Sequence, residues 1–240
     1  MRGLSGMRVL VTGAAGGIGG AVVERLVSEG ARVAGVDLQR PRDDRLVAAL
    51  AADVTDQEQV AAMVTAAREA LGGVDALVAL AGVQASGPTH ELDPEVFRRT
   101  LEVNVLGTFL VTRAVLPEML ERRSGRIVTV GSTAAVCAAP GLAAYAAAKG
   151  AVLQFTRSIA VEYAGYGIRA NCLCPGGTAT PMLAEIDRQR QGPDHFLAGH
   201  PIGRYAEPAE IAAAAAYLLS DDASFVLGAA VMVDGGYSAR

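Results

Sequence analysis

The stretch RVLVTGAAGGIGGAVVERL, residues 8–26, joins a short apolar run to a glycine-rich turn and then to a segment whose apolar residues have helical spacing. A buried strand that leads directly into a helix is the repeating unit of a parallel α/β sheet. Glycines at the junction let the backbone turn sharply and approach a ligand closely. The N–H groups at a helix start favour an anion, so this stretch predicts a phosphate-binding turn after a first strand.

The spacing of these glycines is TGxxxGxG, with Gly13, Gly17 and Gly19 in register and Ile18 between the last two. It differs from the more common GxGxxG, and glycine-rich turns are frequent, so the pattern alone is weak. Its position between a strand and a helix favours the pyrophosphate of a dinucleotide over an ordinary turn.

The second apolar run, residues 31–37, ends in Asp37. A carboxylate at this distance from the glycine turn is suited to hydrogen-bond the ribose hydroxyls of a dinucleotide. Its charge would repel a 2′-phosphate, so the sequence predicts NAD rather than NADP. Arg40 and Arg42 follow closely and could soften that preference, and an ordinary turn-forming aspartate is the alternative interpretation.

The rest of the chain alternates short β-branched runs with longer segments of helical spacing. The expected strands are 7–13, 31–37, 74–82, 125–132, 168–176 and 229–236, and the expected helices are 17–29, 56–71, 94–120, 144–164 and 207–219. Near-continuous apolar strands between helices indicate a parallel sheet that is covered on both faces. We therefore predict an α/β, doubly wound Rossmann-type sheet in three α/β/α layers. Residues 1–240 form a single domain in this interpretation, because no linker-like segment divides them.

Composition excludes several other classes of protein. The formal net charge is −4 and the 21 basic residues are scattered, so the basic patch expected of a nucleic-acid-binding protein is absent. No apolar run approaches the roughly 20 residues of a membrane span, and the first run is too short for a signal-peptide core, so we expect a cytoplasmic protein. Three cysteines and three dispersed histidines indicate neither a disulfide framework nor a metal site.

The stretch AAYAAAKGAV, residues 143–152, places Tyr145 and Lys149 four positions apart among alanines. On a helix these two side chains lie on the same face. Ser132 closes the preceding apolar run. A YxxxK spacing by itself is more often a half-exposed helix whose large residues fall at that interval, so the other motifs decide its meaning.

Together, TGxxxGxG, the strand-end serine and YxxxK, in this order and at these separations, resemble the short-chain dehydrogenase/reductase family in its single-domain form. The similarity covers almost the whole chain. It extends to Asp53–Val54, LAG at 80–82, Asn104 in EVNVLGTF, PGGTATPM at 175–182, GRYAEPAEIA at 203–212 and the closing VDGG.

This resemblance implies an oxidoreductase that transfers a hydride between NAD(H) and a secondary alcohol or ketone. Tyr145 would be the general acid/base, although a phenol with a pKa of about 10 is a poor base at neutral pH. The Lys149 ammonium and the oxidised nicotinamide would favour the phenolate. Ser132 would hold the substrate oxygen, and Asn104 would hold a water that links Lys149 to solvent. The implied cofactor-binding residues are Gly13, Gly17, Ile18, Gly19, Asp37, Asp53, Val54, Ala81, Gly82, Tyr145, Lys149, Pro175, Gly176, Thr178 and Thr180.

Two features depart from the family pattern. Leu80 stands where the family usually has asparagine, and the stretch between Asp37 and Asp53 is short and lacks a helical pattern. The short stretch resembles dehydrogenases of dihydrodiol carboxylates, so we expect a cyclic alcohol or ketone. The alternatives are an NADPH-dependent carbonyl reductase and a non-catalytic protein that senses the nicotinamide state.

Two further expectations concern the surface. We expect the substrate to be selected by residues 83–92 and 133–143 and above all by residues 181–206. Residues 181–206 are polar and interrupted by glycine and proline, which is typical of a substrate lid. Their basic side chains, Arg188, Arg190, His195 and His200, could meet an acidic substrate or could simply be solvated.

The segments 94–120 and 144–164 carry more apolar residues than one buried stripe needs. Since paired subunits in the family commonly use these two helices, we expect a homotetramer, with a dimer as the alternative.

Overall fold

The first strand already shows how the layers are built. The computed structural model describes residues 1–189 and 197–239, with the backbone alone at 186–189. In β1 (Arg8–Thr12), Val9 and Val11 enter one apolar core while Leu10 enters the other. Because alternate side chains of a strand point to opposite faces, a continuous apolar run must be covered on both sides.

The described strands form one parallel sheet in the order β3-β2-β1-β4-β5-β6-β7. Their bounds are β1 (Arg8–Thr12), β2 (Arg32–Asp37), β3 (Ala48–Ala51), β4 (Ala76–Ala79), β5 (Gly125–Val130), β6 (Ile168–Pro175) and β7 (Ala230–Val233). The order reverses between β1 and β4, where Val9 pairs with Val33 on one side and with Ala76 on the other. A reversal of this kind opens a crevice at the carboxyl ends of the strands.

Helices cover both faces of the sheet. They are α1 (Gly17–Ser28), α2 (Gln57–Leu71), α3 (Pro94–Leu101), α4 (Gly107–Arg122), α5 (Ala143–Tyr163), α6 (Pro181–Gln189) and α7 (Pro208–Leu219). The apolar faces of α1 and α7 pack on one side of the sheet, and those of α2, α4 and α5 pack on the other. The predicted three-layer, doubly wound fold is therefore confirmed.

The strand β3 is absent from the sequence-based prediction. Its four residues, AALA, contain no β-branched or aromatic side chain, so they carry no strand signal. The segment becomes a strand because it lies at the edge of the sheet, where Ala34 of β2 pairs with Ala48. Pairing with a buried neighbour thus overrides a weak local preference.

The predicted helix 94–120 is interrupted. Between α3 and α4, residues Glu102–Leu106 form a π turn, and the N–H of Gly107 bonds to the carbonyl of Glu102. By length and composition alone Pro94–Arg122 could cross a membrane, which the sequence-based prediction did not anticipate, but 56% of its most apolar window is buried inside this fold. It is accounted for as a core helix of the sheet. Single π turns often occur at functional sites.

The predicted lid is partly helical, since α6 begins within it at Pro181. Met182 is half-exposed and Leu183 is buried. Arg190 and His195 lie outside the described residues, and only the backbone of Arg188 is described. The two alternatives for these side chains, contact with an acidic substrate and simple solvation, both stay predictions.

The glycine turn depends on close backbone contact. A Cβ at Gly19 would lie 1.9 Å from the carbonyl oxygen of Gly13, and one at Gly17 would lie 2.8 Å from Thr180 Cγ2. Gly13 has a φ of +70°, which favours glycine. The turn therefore packs against its own helix at a distance that no side chain can enter.

We predict that Gly19→Ala lowers the free energy of unfolding by about 1–3 kcal/mol, because the added methyl collides with backbone that cannot yield easily. Gly20→Ala is the matched control on the same helix, since its Cβ would meet nothing closer than 4.0 Å. It should be neutral or stabilise by roughly 0.5–1 kcal/mol. Urea denaturation measures both, and equal effects of the two variants would contradict the close approach.

Candidate active site

The carboxyl ends of the strands open into a cleft with two lobes. The large lobe has a volume of about 600 Å³ and is bordered by the turn after β1, the end of β2 and the segment after β4. The small lobe has a volume of about 120 Å³ and is bordered by the ends of β5 and β6 and the start of α6. Five residues border both lobes: Ile18, Val130, Tyr145, Thr180 and Met182. The lobes therefore meet at Tyr145.

Most residues predicted to hold a dinucleotide border the large lobe. They are Gly13, Gly17, Ile18, Gly19, Asp37, Asp53, Val54, Ala81, Gly82, Tyr145, Lys149 and Thr180. Pro175, Gly176 and Thr178 border the small lobe. At the start of α1 the N-cap Gly16 offers no side-chain bond and the first turn holds no acidic residue, so the positive end of the helix is open to an anion. The open N-terminus of α1 beside the glycine turn fits a dinucleotide pyrophosphate.

Asp37, the last residue of β2, lies at the rim of the large lobe. Its Oδ2 accepts a hydrogen bond from the Ala15 N–H at 3.0 Å, and its Oδ1 accepts one from the Leu38 N–H at 2.8 Å. These bonds fix the carboxylate beside the glycine turn, and each oxygen keeps a lone pair for a hydroxyl. Arg40 and Arg42 are exposed and do not border the cleft.

Asp53 is engaged with its own surroundings. Its Oδ1 accepts hydrogen bonds from the Thr55 N–H at 2.9 Å and the Thr55 hydroxyl at 2.7 Å. Its Oδ2 lies 3.4 Å from Arg99 Nη2. Arg99 also borders the large lobe, and no motif in the sequence singles it out. This ion pair places a guanidinium at the outer part of the lobe.

Leu80, the residue that replaces the family's asparagine, packs its side chain against the core on the α1 side of the sheet. Its N–H donates to the Thr12 carbonyl at 3.2 Å, and the next N–H, of Ala81, reaches the Thr12 hydroxyl at 3.4 Å. Backbone and a threonine hydroxyl therefore hold the segment after β4 against β1 without a side-chain amide.

Tyr145 lies in the first turn of α5 and faces Ser132, which follows β5. Burial raises the pKa of Tyr145 to about 12, and the hydrogen bond with Ser132 opposes that rise. The Ser132 oxygen also accepts a bond from the Ala134 N–H at 3.1 Å, which fixes its position. At neutral pH the phenol keeps its proton, which suits donation to a carbonyl oxygen.

Lys149, the single lysine of the chain, is buried one turn further along α5. Its Nζ donates to the Val130 carbonyl at 2.9 Å and lies 5.6 Å from the centre of the Tyr145 ring. Burial lowers the pKa of Lys149 to about 8. The ammonium is still predominantly charged at pH 7, and a cation beside a phenol favours the phenolate.

Asn104 lies in the π turn and is fully buried. Its Nδ2 donates to the carbonyls of Val83 and Thr100, each at 2.8 Å. Its Oδ1 has no hydrogen-bond partner among the described residues. This oxygen and Lys149 Nζ both flank the backbone of Gly82, where an added Cβ would lie 2.6 Å from Oδ1 and 3.4 Å from Nζ. A buried acceptor without a partner is costly, so Oδ1 is available to a group that enters beside Gly82.

His200 does not face the cleft, in contrast to the expectation that it could meet a substrate. It is buried, and its Nε2 accepts a hydrogen bond from the Gly177 N–H at 2.9 Å. Its ring lies 5.1 Å from that of Tyr237, centre to centre. Because Gly177 and Tyr237 border the small lobe, His200 supports its wall from behind.

The cleft also contains residues that no motif of the sequence singles out, although Gln84 and Leu142 lie in the segments 83–92 and 133–143 that we expect to select the substrate. Gln84, Leu142 and Tyr237 border the small lobe, and Val130, whose carbonyl accepts the bond from Lys149 Nζ, borders both lobes. Loop residues and backbone groups of this kind belong to no motif. The one signal for Gln84 in the sequence is its position two residues after the LAG motif.

Comparison with known proteins agrees with this geometry. Residues 13–238 match the family model described as enoyl-(acyl carrier protein) reductase. A 2-(S)-hydroxypropyl-CoM dehydrogenase of Xanthobacter autotrophicus is 41% identical, and the match covers 96% of each chain. A 2,5-dichloro-2,5-cyclohexadiene-1,4-diol dehydrogenase of Sphingobium indicum is 41% identical over 100% of both chains. The crystal structure of levodione reductase has a TM-score of 0.91 and 36% identity, covering 98% of this chain and 99% of that one.

The chain belongs to the short-chain dehydrogenase/reductase family, and the resemblance inferred from its motifs is confirmed. Members of this family use a nicotinamide cofactor, and the relatives named above are oxidoreductases that act on CH–OH groups.

We predict that the Lys149 ammonium titrates near pH 8 instead of near 10.5, because burial disfavours the charged form. Since the chain has a single lysine, selective lysine labelling with ¹³C and ¹⁵N gives one side-chain signal to follow by NMR as the pH changes. A midpoint near 10.5 would contradict the buried environment.

The lowered pKa of Lys149 also makes the stability of the fold depend on pH. Between pH 8 and 10.5 the unfolded chain binds a proton at Lys149 that the folded chain does not, so this group makes stability rise with pH across that window. Lys149→Met lacks this ionisable group. The free energy of unfolding of Lys149→Met minus that of the natural chain should therefore fall by about 3 kcal/mol between pH 8 and pH 10.5. Denaturation at the two pH values measures it.

Proposed function

We propose that this protein is an NAD-dependent dehydrogenase that interconverts a secondary, cyclic alcohol and its ketone. The observation that carries this proposal is the meeting of Ser132, Tyr145 and Lys149 at the junction of the two lobes. At this junction Tyr145 can exchange a proton with a substrate in the small lobe while a dinucleotide lies in the large lobe. Asn104, Ser132, Tyr145 and Lys149 are the proposed catalytic residues.

The four side chains divide the proton chemistry among them. Ser132 donates a hydrogen bond to the substrate oxygen and holds it against Tyr145. Tyr145 gives its proton to a ketone oxygen or takes the proton of an alcohol. Taking it requires a lower pKa than the phenol has alone, and Lys149 supplies positive charge for this purpose. The unpartnered Oδ1 of Asn104 lies near the Lys149 ammonium and can support a water that exchanges protons with it.

The cofactor would be held by residues already bordering the large lobe. The glycine turn and the start of α1 suit the pyrophosphate, and Asp37 suits ribose hydroxyls. Within the described residues Lys149 Nζ donates one hydrogen bond, which leaves two donors for a hydroxyl beside Tyr145. Pro175, Gly176, Thr178 and Thr180 lie on the side where the reactive ring would meet the small lobe. When bound, the nicotinamide supplies the hydride donor or acceptor and, when oxidised, a further positive charge.

NAD is favoured over NADP by the carboxylate at Asp37. The only basic side chains that border the large lobe within the described residues are Arg99 and Lys149. Arg99 pairs with Asp53, and Lys149 is buried beside Tyr145, so neither faces Asp37 across the rim. An NADPH-dependent carbonyl reductase is therefore the second candidate, and it lacks a specific observation in its favour.

The substrate class follows from the small lobe and from the relatives. A volume of about 120 Å³ is near the roughly 150 Å³ that holds one benzene ring. Two of the similar proteins are named for a cyclohexadienediol and for levodione, whereas the third is named for an acyclic hydroxypropyl compound. We propose that residues at about 181–206 cover the substrate, because Met182 and Leu183 border the small lobe.

We also propose a homotetramer in the cytoplasm. Apolar side chains remain exposed on the segment from α3 to α4 and on α5: Val96, Phe97, Leu106, Phe109 and Val161. Exposed apolar faces of this kind favour association between copies. Light scattering should give a mass well above the 24.6 kDa of one chain. The three free cysteines are compatible with a reducing compartment.

Tyr145→Phe removes the ionisable oxygen and keeps the ring. We expect kcat to fall by about 10²–10⁴ with the affinity for NADH largely retained, because acid–base catalysis is lost and the cofactor lobe is intact. Steady-state kinetics and NADH fluorescence titration measure the two effects. Tyr163→Phe, at the other end of α5, is the matched control and should retain activity. Full activity in Tyr145→Phe would refute this role for the phenol.

Cofactor preference is tested through Asp37. The natural chain should bind NADH at least tenfold more tightly than NADPH, which is about 1.4 kcal/mol. Asp37→Asn removes the charge while keeping the shape, so the ratio should fall towards one. Asp44→Asn changes an exposed carboxylate outside the cleft and should leave the ratio unchanged. Calorimetry that shows equal affinities in the natural chain would decide against NAD.

A further inference from the structure

The small lobe contains a polar side chain that the chemistry described so far does not use. Among the described residues that border it there is no charged side chain, and small or apolar residues such as Ala139 and Leu142 form part of its wall. The hydroxyl of Thr178 donates to the Gly176 carbonyl, and that of Thr180 accepts from the Leu183 N–H. Gln84 borders the same lobe.

The Gln84 amide makes no hydrogen bond with any part of the chain that the structure describes, although it is half-buried at the lobe. An amide offers two N–H donors and one acceptor oxygen. A half-buried amide without partners favours a ligand that brings its own donor or acceptor.

The backbone that carries Gln84 is fixed on both sides. The carbonyl of the preceding Val83 accepts a bond from Asn104 Nδ2 at 2.8 Å. Three residues later, the Gly87 N–H donates to the Gly141 carbonyl at 2.9 Å. A side chain on a segment held at two points is positioned before the ligand arrives, which reduces the entropy lost on binding.

We propose that Gln84 determines substrate specificity by hydrogen-bonding a second oxygen of the substrate, so that the preferred ligand is an uncharged ring with two oxygen substituents, such as a diol, hydroxyketone or dione. Ser132 and Tyr145 take the reacting oxygen, and Gln84 takes the other. An uncharged amide in a lobe without described charges suits a hydroxyl or carbonyl better than a carboxylate. This inference rests on the proposed function and names the substrate class of the same site.

The test compares substrates with and without the second oxygen. Cyclohexanol and the 1,3- and 1,4-cyclohexanediols are assayed with NAD, using the natural chain, Gln84→Met and Gln154→Met. Methionine has a similar length and no amide, and Gln154 is exposed on α5 outside the cleft. We expect Gln84→Met to lower kcat/KM for the preferred diol about tenfold, mainly through KM, and to leave cyclohexanol unchanged. Gln154→Met should change neither.

Equal losses on cyclohexanol and the diols would show a merely structural role, and no loss on either would show that Gln84 does not contact the substrate; both results overturn the proposal. If the natural chain oxidises none of these alcohols, the proposed function fails. The role of Gln84 is then tested by measuring ligand affinity. Calorimetry with NAD present, where a ketone cannot react, then compares cyclohexane-1,4-dione with cyclohexanone. An advantage of about tenfold for the dione that disappears in Gln84→Met supports the proposal, and equal affinities overturn it.

Discussion

The hydrogen bond from Lys149 Nζ to the Val130 carbonyl fixes the relation between helix α5 and the end of strand β5. Because Ser132 follows Val130 by two residues and Tyr145 precedes Lys149 by one helical turn, this contact also brings the serine and the tyrosine together. The cost is a buried ammonium whose pKa falls to about 8. In the mechanism proposed above, function offsets this cost, because a cation beside the phenol would let Tyr145 act as a base as well as an acid.

The glycine turn on the α1 side of the sheet and the π turn on the α5 side complete the same arrangement. Close packing of Gly19 on Gly13 brings the start of α1 to the crevice where the strand order reverses. The π turn directs Asn104 inward, where its amide fastens Val83 and its Oδ1 stays available beside Lys149. Each departure from regular backbone geometry therefore lies where a ligand must approach closely.

The sequence predicts the fold and the composition of the cleft well, because both depend on local patterns. Alternating strands and helices define the layers, and glycines, Asp37 and the YxxxK pair carry their chemistry in their residue types. The edge strand Ala48–Ala51 escapes prediction because pairing with β2 creates it. The segment that contains Gln84 is predicted to select the substrate, but the role of Gln84 itself and the buried position of His200 are not, since only the packing of loops from distant segments decides which polar side chains face the cleft.

The central claim is that a hydride passes between a ring carbon held at Tyr145 and a dinucleotide in the large lobe. The most direct measurement uses a cyclohexanediol that carries deuterium on the carbinol carbons, incubated with the protein and NAD, followed by mass spectrometry of the reduced cofactor. We expect the reduced cofactor to gain one deuterium per turnover and Tyr145→Phe to form almost none. Reduced cofactor without deuterium, or turnover unaffected by Tyr145→Phe, would contradict it.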